Sequence, residues 1–101
     1  MNKTIIKVII PAYNEEASIG HVIKAIPNIV SEVIVISNNS TDNTINVAKN
    51  AGATVLTENN KGYGYACLKG IDYVSKQATK PNIIVFLDGD FSDYPEELTK
   101  L

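Results

Sequence analysis

The stretch IIKVIIPAYNEEASIGHVIKAI, residues 5–26, changes its periodicity midway. Residues 5–10 form an apolar run, rich in β-branched side chains and broken only by Lys7, as expected of a strand covered on both faces. Beyond the polar segment PAYNE, Ile19, Val22, Ile23 and Ile26 fall at i, i+3, i+4 and i+7, the apolar stripe of an amphipathic helix. A buried strand that passes through a polar turn into such a helix is the first part of a strand–helix–strand unit, and its next strand lies parallel.

The pattern recurs downstream. Apolar runs at EVIVIS (32–37) and NIIVFL (82–87) read as further strands covered on both faces, and TVLT (54–57) as another strand. Cys67, Ile71, Val74 and Ala78 repeat the helical stripe. Another helix is signalled by Ser40, Thr41 and Asp42 as cap and first-turn residues, Ile45 and Ala48 on one face, and Gly52 as its stop. A last one opens at Pro95, with Glu96 and Glu97 in its first turn. Alternating strands and helices call for right-handed crossovers and an α/β, Rossmann-like parallel sheet with helices on both faces. In such sheets ligands bind beyond the carboxyl ends of the strands. The polar segments PAYNE, SNNSTD and DGD all fall at those ends.

At 101 residues the chain has the size of one compact domain, and no repeat or linker divides it. Its 45% apolar and 20% charged residues exclude a disordered chain. A net charge of −2, with cations scattered, argues against a nucleic-acid partner. All nine cations are lysines, so the side chain best suited to a bidentate grip on phosphate is missing. The lone Cys67 reads as a small core residue in a reducing compartment. The opening MNKTIIKVIIPAYNEE, interrupted by Lys7 and Pro11, fits neither a secretory signal nor a spanning helix, and a cytoplasmic location is expected.

The chemistry concentrates in FLDGDFSD, residues 86–93, where Asp88, Asp90 and Asp93 crowd the end of a strand. Two like charges at contact repel by about 1 kcal/mol in water and ~4 kcal/mol near a protein surface, and a divalent cation reverses the sign. Hard carboxylate oxygens suit Mg²⁺ or Mn²⁺, which bind through one or two carboxylates plus substrate phosphates. Alone, the motif fits a solvated turn equally well. It is not an EF-hand, since the sixth position is Asp93 rather than glycine and the twelfth is Thr99 rather than glutamate.

GYGYA, residues 62–66, follows Asn60 and Lys61 and opens a helix, so backbone amides and one lysine face a potential anion. The third glycine of a dinucleotide fingerprint falls at Cys67, which argues against a nicotinamide or flavin cofactor. His21 has no second ligand at metal spacing and reads as a surface residue. The five tyrosines read as packing residues, with Tyr13 the exception because it sits in the crevice.

Taken in order, VIIPAYNEEASI, VIVISNNSTDNT, ENNKGYGYA and VFLDGDFSDYPEEL resemble the first half of a family 2 glycosyltransferase with the GT-A fold. The resemblance runs nearly end to end. It implies strand order 3-2-1-4 and a single nucleotide-sugar-binding domain over residues 1–101. It implies that Pro11, Ala12, Tyr13 and Glu15 approach the base and ribose of a UDP- or GDP-linked sugar, and that Asn38 hydrogen-bonds a base edge. Lys61 is then expected near the diphosphate. Asp88 and Asp90 would be the DxD pair, Asp90 on Mg²⁺ or Mn²⁺ and Asp88 on the ribose or a metal-bound water. Sugar transfer inverts the anomeric carbon in most of the family. The family's second motif usually begins with aspartates before glycine and serine; Ser37, Asn38 and Asn39 depart from that pattern.

Only eleven residues follow Asp90, so by the same resemblance the acceptor half, with its catalytic base, is absent and the chain corresponds to a truncated nucleotide-binding half. The SDYPEEL ending resembles branches that glycosylate polyprenyl or dolichyl phosphates, an acceptor that would bring the protein to a membrane. Two other readings compete. In a haloacid-dehalogenase-like phosphatase, Asp88 would be the nucleophile and Asp90 the acid/base, although that motif should open its domain. A non-catalytic fragment would instead self-associate through an exposed sheet edge.

Overall fold

The computed structural model describes residues 4–89. Asp90, Asp93, Tyr94 and the helix expected from Pro95 therefore lie outside the described residues. The elements alternate as expected: β1 Ile6–Ala12, α1 Ile19–Ala25, β2 Glu32–Asn38, α2 Thr44–Asn50, β3 Thr54–Glu58, α3 Tyr63–Ser75 and β4 Ile83–Phe86. All strand pairs are parallel and the order is β3-β2-β1-β4, with Val8 opposite both Val33 and Val85. The expected α/β sheet and its strand order are thus present.

Strand alternation divides β1 between two cores. Val8, Ile10 and Ala12 join Val35 under α1 and α2, through Ile19, Val22, Ile23 and Ala48. Ile9 points the other way, with Ile34 and Ile36, under Ala66 and Val74 of α3. The stripe expected for α1 is the one buried. That of α3 is rotated by one residue, to Ala66, Gly70 and Val74, leaving Cys67 half-buried and Ile71 exposed, and the helix ends before Ala78. The reason is Gly70: a Cβ there would meet Ile9 Cγ2 at 2.6 Å, so its missing side chain is what lets α3 lie on β1.

Two further expectations change. β4 is an edge strand, and Ile83, Ile84 and Phe86 are exposed rather than covered on both faces, because α3 rests on β1, β2 and β3. α2 begins at Thr44, after Ser40, Thr41 and Asp42, which serve the loop before it.

At the amino ends of the strands a single carboxylate gathers four elements. Glu32 accepts from Lys7 Nζ (2.8 Å) and Gln77 Nε2 (3.0 Å) on one oxygen, and from Thr54 Oγ1 (2.8 Å) and the Tyr73 hydroxyl (2.7 Å) on the other. Burial opposes its ionisation, but these four donors outweigh it and lower its pKa from 4.5 to about 2. The same bond, with burial, raises the Tyr73 hydroxyl.

A folded-state pKa below the unfolded one contributes stability that is present above pH 4.5 and lost as pH falls toward 2. The urea midpoint is therefore expected to drop through that window, whereas Glu32→Gln starts lower at pH 7 and varies less. An equal pH dependence in both proteins would remove Glu32 from this role. Gly70→Ala overpacks Ile9 and is expected to cost about 1–3 kcal/mol in urea unfolding. Gly64→Ala, in the same helix with open space around it, should leave stability unchanged or slightly higher.

Candidate functional site

The site is built from the loops at the carboxyl ends of the strands. β1 runs on through Pro11 and Ala12, which pair with Ile36 and Ser37, so the polar segment begins at Tyr13. Tyr13 is exposed. Asn14 turns the chain in the left-handed region, at φ 49°, a conformation that asparagine tolerates better than most residues. Its N–H donates to Ser40 Oγ (3.2 Å) and its Oδ1 accepts from Thr41 N–H (2.8 Å).

The next residues continue this lacing. Glu15 N–H donates to Thr44 Oγ1 (2.8 Å), and the Thr44 hydroxyl donates onward to Asp42 Oδ1, which also accepts from Thr44 N–H (2.9 Å). Glu16 N–H reaches Asp42 Oδ2 at 3.3 Å. Burial acts against the Asp42 carboxylate, but these donors prevail and lower its pKa. Thr44, 0% exposed, joins the first loop to the second, a role that sequence reasoning missed; its only signal was a hydroxyl two places after an aspartate at a helix start.

The acidic loop meets the first loop directly. Ser18 Oγ donates to Gly89 O (2.6 Å) and lies 3.2 Å from Glu15 Oε2. A Cβ on Gly89 would meet Glu15 Cγ at 3.2 Å and Ile19 Cδ1 at 3.3 Å, so a glycine between the two aspartates allows the close approach. Glu15 and Gly89 are thus neighbours, and Asp88 is exposed beside them in sequence. Asp90 lies outside the described residues. Among the described residues no group of three or more histidine, cysteine or acidic side chains is placed to hold a metal ion by itself.

On the other flank, Tyr13, Asn38, Asn39 and Lys61 line a cavity of about 220 Å³. It adjoins a second, of about 150 Å³, lined by Pro11, Ala12, Tyr13, Asn38, Tyr63 and Ala66. The fold therefore brings Pro11, Ala12, Tyr13, Asn38 and Lys61 together, while Glu15 and Asp88 belong to the Gly89 contact. The Asn38 amide points elsewhere than expected: Nδ2 donates to Glu58 O (3.1 Å) and Asn60 O (2.7 Å), and Oδ1 accepts from Gly62 N–H (3.0 Å). Both amide protons being occupied, Asn38 has none to donate to a base edge in this geometry. Asn39, at φ 62°, fills a left-handed position that glycine also fills readily, and its amide donates to Asn59 O (3.0 Å).

The remaining expectations sort themselves in the same way. His21 is on the surface. Of the tyrosines, Tyr73 is packed and bonded to Glu32, whereas Tyr63 and Tyr65 join Tyr13 in being exposed. A phosphatase of the haloacid-dehalogenase type should carry its aspartates after the opening strand, but Asp88 follows β4, at the sheet edge.

Comparison with known proteins agrees with this geometry. The chain is 40% identical over 96 residues to an uncharacterised glycosyltransferase of Mycobacterium tuberculosis, covering 95% of this chain and 41% of the relative. It is 37% identical over 97 residues to 4,4'-diaponeurosporenoate glycosyltransferase of Staphylococcus aureus, covering 88% and 24%. The chain thus spans about two-fifths or less of the length of these relatives. Among solved structures, glucosyl-3-phosphoglycerate synthase from Mycobacterium tuberculosis in complex with Mn²⁺, UDP-glucose and phosphoglyceric acid superposes with a TM-score of 0.80 at 33% identity, covering 99% of this chain and 38% of that one. The same enzyme in complex with Mg²⁺ and UDP gives 0.73 at 35%, covering 88% and 34%. The model of glycosyl transferase family 2 matches residues 7–101, and the chain belongs to that family.

Proposed function

We propose that this chain is the donor-binding part of a glycosyltransferase, taking a nucleoside-diphosphate sugar with a divalent cation. The observation that carries the reading is the convergence of four loops, with Ser18 and Gly89 joining the first to the acidic loop while Tyr13 lines the cavities beside Lys61. Pro11, Ala12, Tyr13 and Tyr63 offer an apolar and aromatic surface to a base and its ribose. Lys61 faces the same space and is placed to meet the diphosphate charge.

The donor chemistry around Gly89 fits a hard cation. Asp88 offers an exposed carboxylate and Asp90 lies two residues on in the sequence, hard oxygen donors of the kind through which Mg²⁺ or Mn²⁺ binds together with substrate phosphates. When bound, such a cation supplies the positive charge that stabilises a departing diphosphate, which a chain without arginine otherwise takes from lysine and backbone amides. In the transfer, an acceptor oxygen forms a bond to the anomeric carbon as the bond from that carbon to the diphosphate oxygen breaks.

For the acceptor, the reading follows the SDYPEEL ending: a polyprenyl phosphate, already ionised and needing no general base, at the cytoplasmic face of a membrane. The unpaired Cys67 accords with a reducing compartment. Among the described residues no helix is long and apolar enough to cross a membrane. The apolar edge strand β4, with Ile83, Ile84 and Phe86 exposed, favours self-association as a second partner mode, to be read from light scattering as a dimer lost in Ile84→Lys.

UDP titrated calorimetrically is expected to bind in the presence of Mn²⁺ and at least tenfold more weakly with EDTA, with Asp88→Asn or with Asp90→Ala. Binding that ignores both the metal and these substitutions would overturn the assignment.

A further inference from the structure

We infer that Asn38 is a positioning residue for the donor site: its side-chain amide sets the conformation of the 58–62 loop, and thereby the place of Lys61 and the start of α3. This rests on the proposed nucleotide site, of which that loop forms one wall.

A primary amide offers two N–H donors and one carbonyl acceptor. At Asn38 both kinds are engaged with one loop: Nδ2 with the carbonyls of Glu58 and Asn60, at 3.1 and 2.7 Å, and Oδ1 with the Gly62 amide at 3.0 Å. Lys61 lies between the second and third of these anchors. Two more bonds brace the same turn, from Asn39 Nδ2 to Asn59 O (3.0 Å) and from Asn60 N–H to Glu58 Oε2 (2.9 Å). The loop is thus held chiefly by side chains that end β2 and β3, and the residue that touches it at three points is Asn38.

The chemistry requires an amide. An aspartate of the same shape has acceptors only, so its carboxylate would face two carbonyl oxygens with no proton between them. Gly62, the residue before α3, is at φ 132°, which other residues rarely adopt, so its N–H is presented to Oδ1 by a backbone that the bond helps to hold. Loss of the amide frees Gly62 and displaces Lys61.

Two measurements test this. Amide hydrogen exchange of the nucleotide-free chain reads the loop directly: the Gly62 N–H is expected to exchange at least tenfold faster in Asn38→Asp and in Asn38→Ala than in the wild-type chain. Calorimetry with Mn²⁺ reads the consequence: affinities for UDP, CDP and GDP should fall by a common factor of about ten, and Lys61→Ala should add little to Asn38→Asp. Unchanged Gly62 exchange in both variants overturns the inference. So does loss of affinity for one base alone, which would make Asn38 a base-reading residue, or a Lys61→Ala effect that multiplies fully with Asn38→Asp. Should the wild-type chain bind no nucleotide, the proposed function fails, and the exchange arm still decides whether Asn38 holds the loop.

Discussion

The structure depends on β1 being covered on both faces. Val8 and Ile10 pack under α1 and α2, Ile9 packs under α3, and all three are fully buried. A parallel strand in that position needs a crossover helix on each side, and the crossovers leave every strand pointing the same way. The polar segments that follow the strands must then gather at one end of the sheet. The close seating of α3 on Ile9, allowed by Gly70, completes the arrangement.

Gathering the loops is only the first step, since four polar loops at one end could adopt many relative positions. Here they are bonded to one another. Asn14 holds Ser40 and Thr41, Glu15 holds Thr44, Ser18 holds Gly89, and Asn38 holds residues 58–62. Each bond joins one of these segments to another, so the relative positions of the loops are fixed largely by neutral side chains. Asp88 and Lys61 stay exposed at the same end of the sheet.

The two ends of the sheet use charge differently. Glu32, at the amino ends, is saturated by four donors and serves cohesion. Asp88, at the carboxyl end, remains exposed. A carboxylate with four internal partners has little capacity left for a ligand.

The sequence by itself determined the element order, the parallel sheet and the end of it at which the polar loops gather, because these follow from hydrophobic periodicity and from where polar segments interrupt it. It also singled out Tyr13, Glu15, Lys61 and the DGD loop, since aromatic, charged and glycine-flanked residues after strands are conspicuous. It misplaced the buried face of α3, because Gly70 has no side chain to enter a hydrophobic pattern. It carried no sign that the Asn38 amide is bonded to the neighbouring loop. Only the tertiary structure decided these, along with the Glu15–Thr44 bond and the four donors on Glu32, because each joins groups far apart along the chain. Which partner a polar side chain takes is settled by distances of a few tenths of an ångström between loops, and periodicity along one chain carries no record of them.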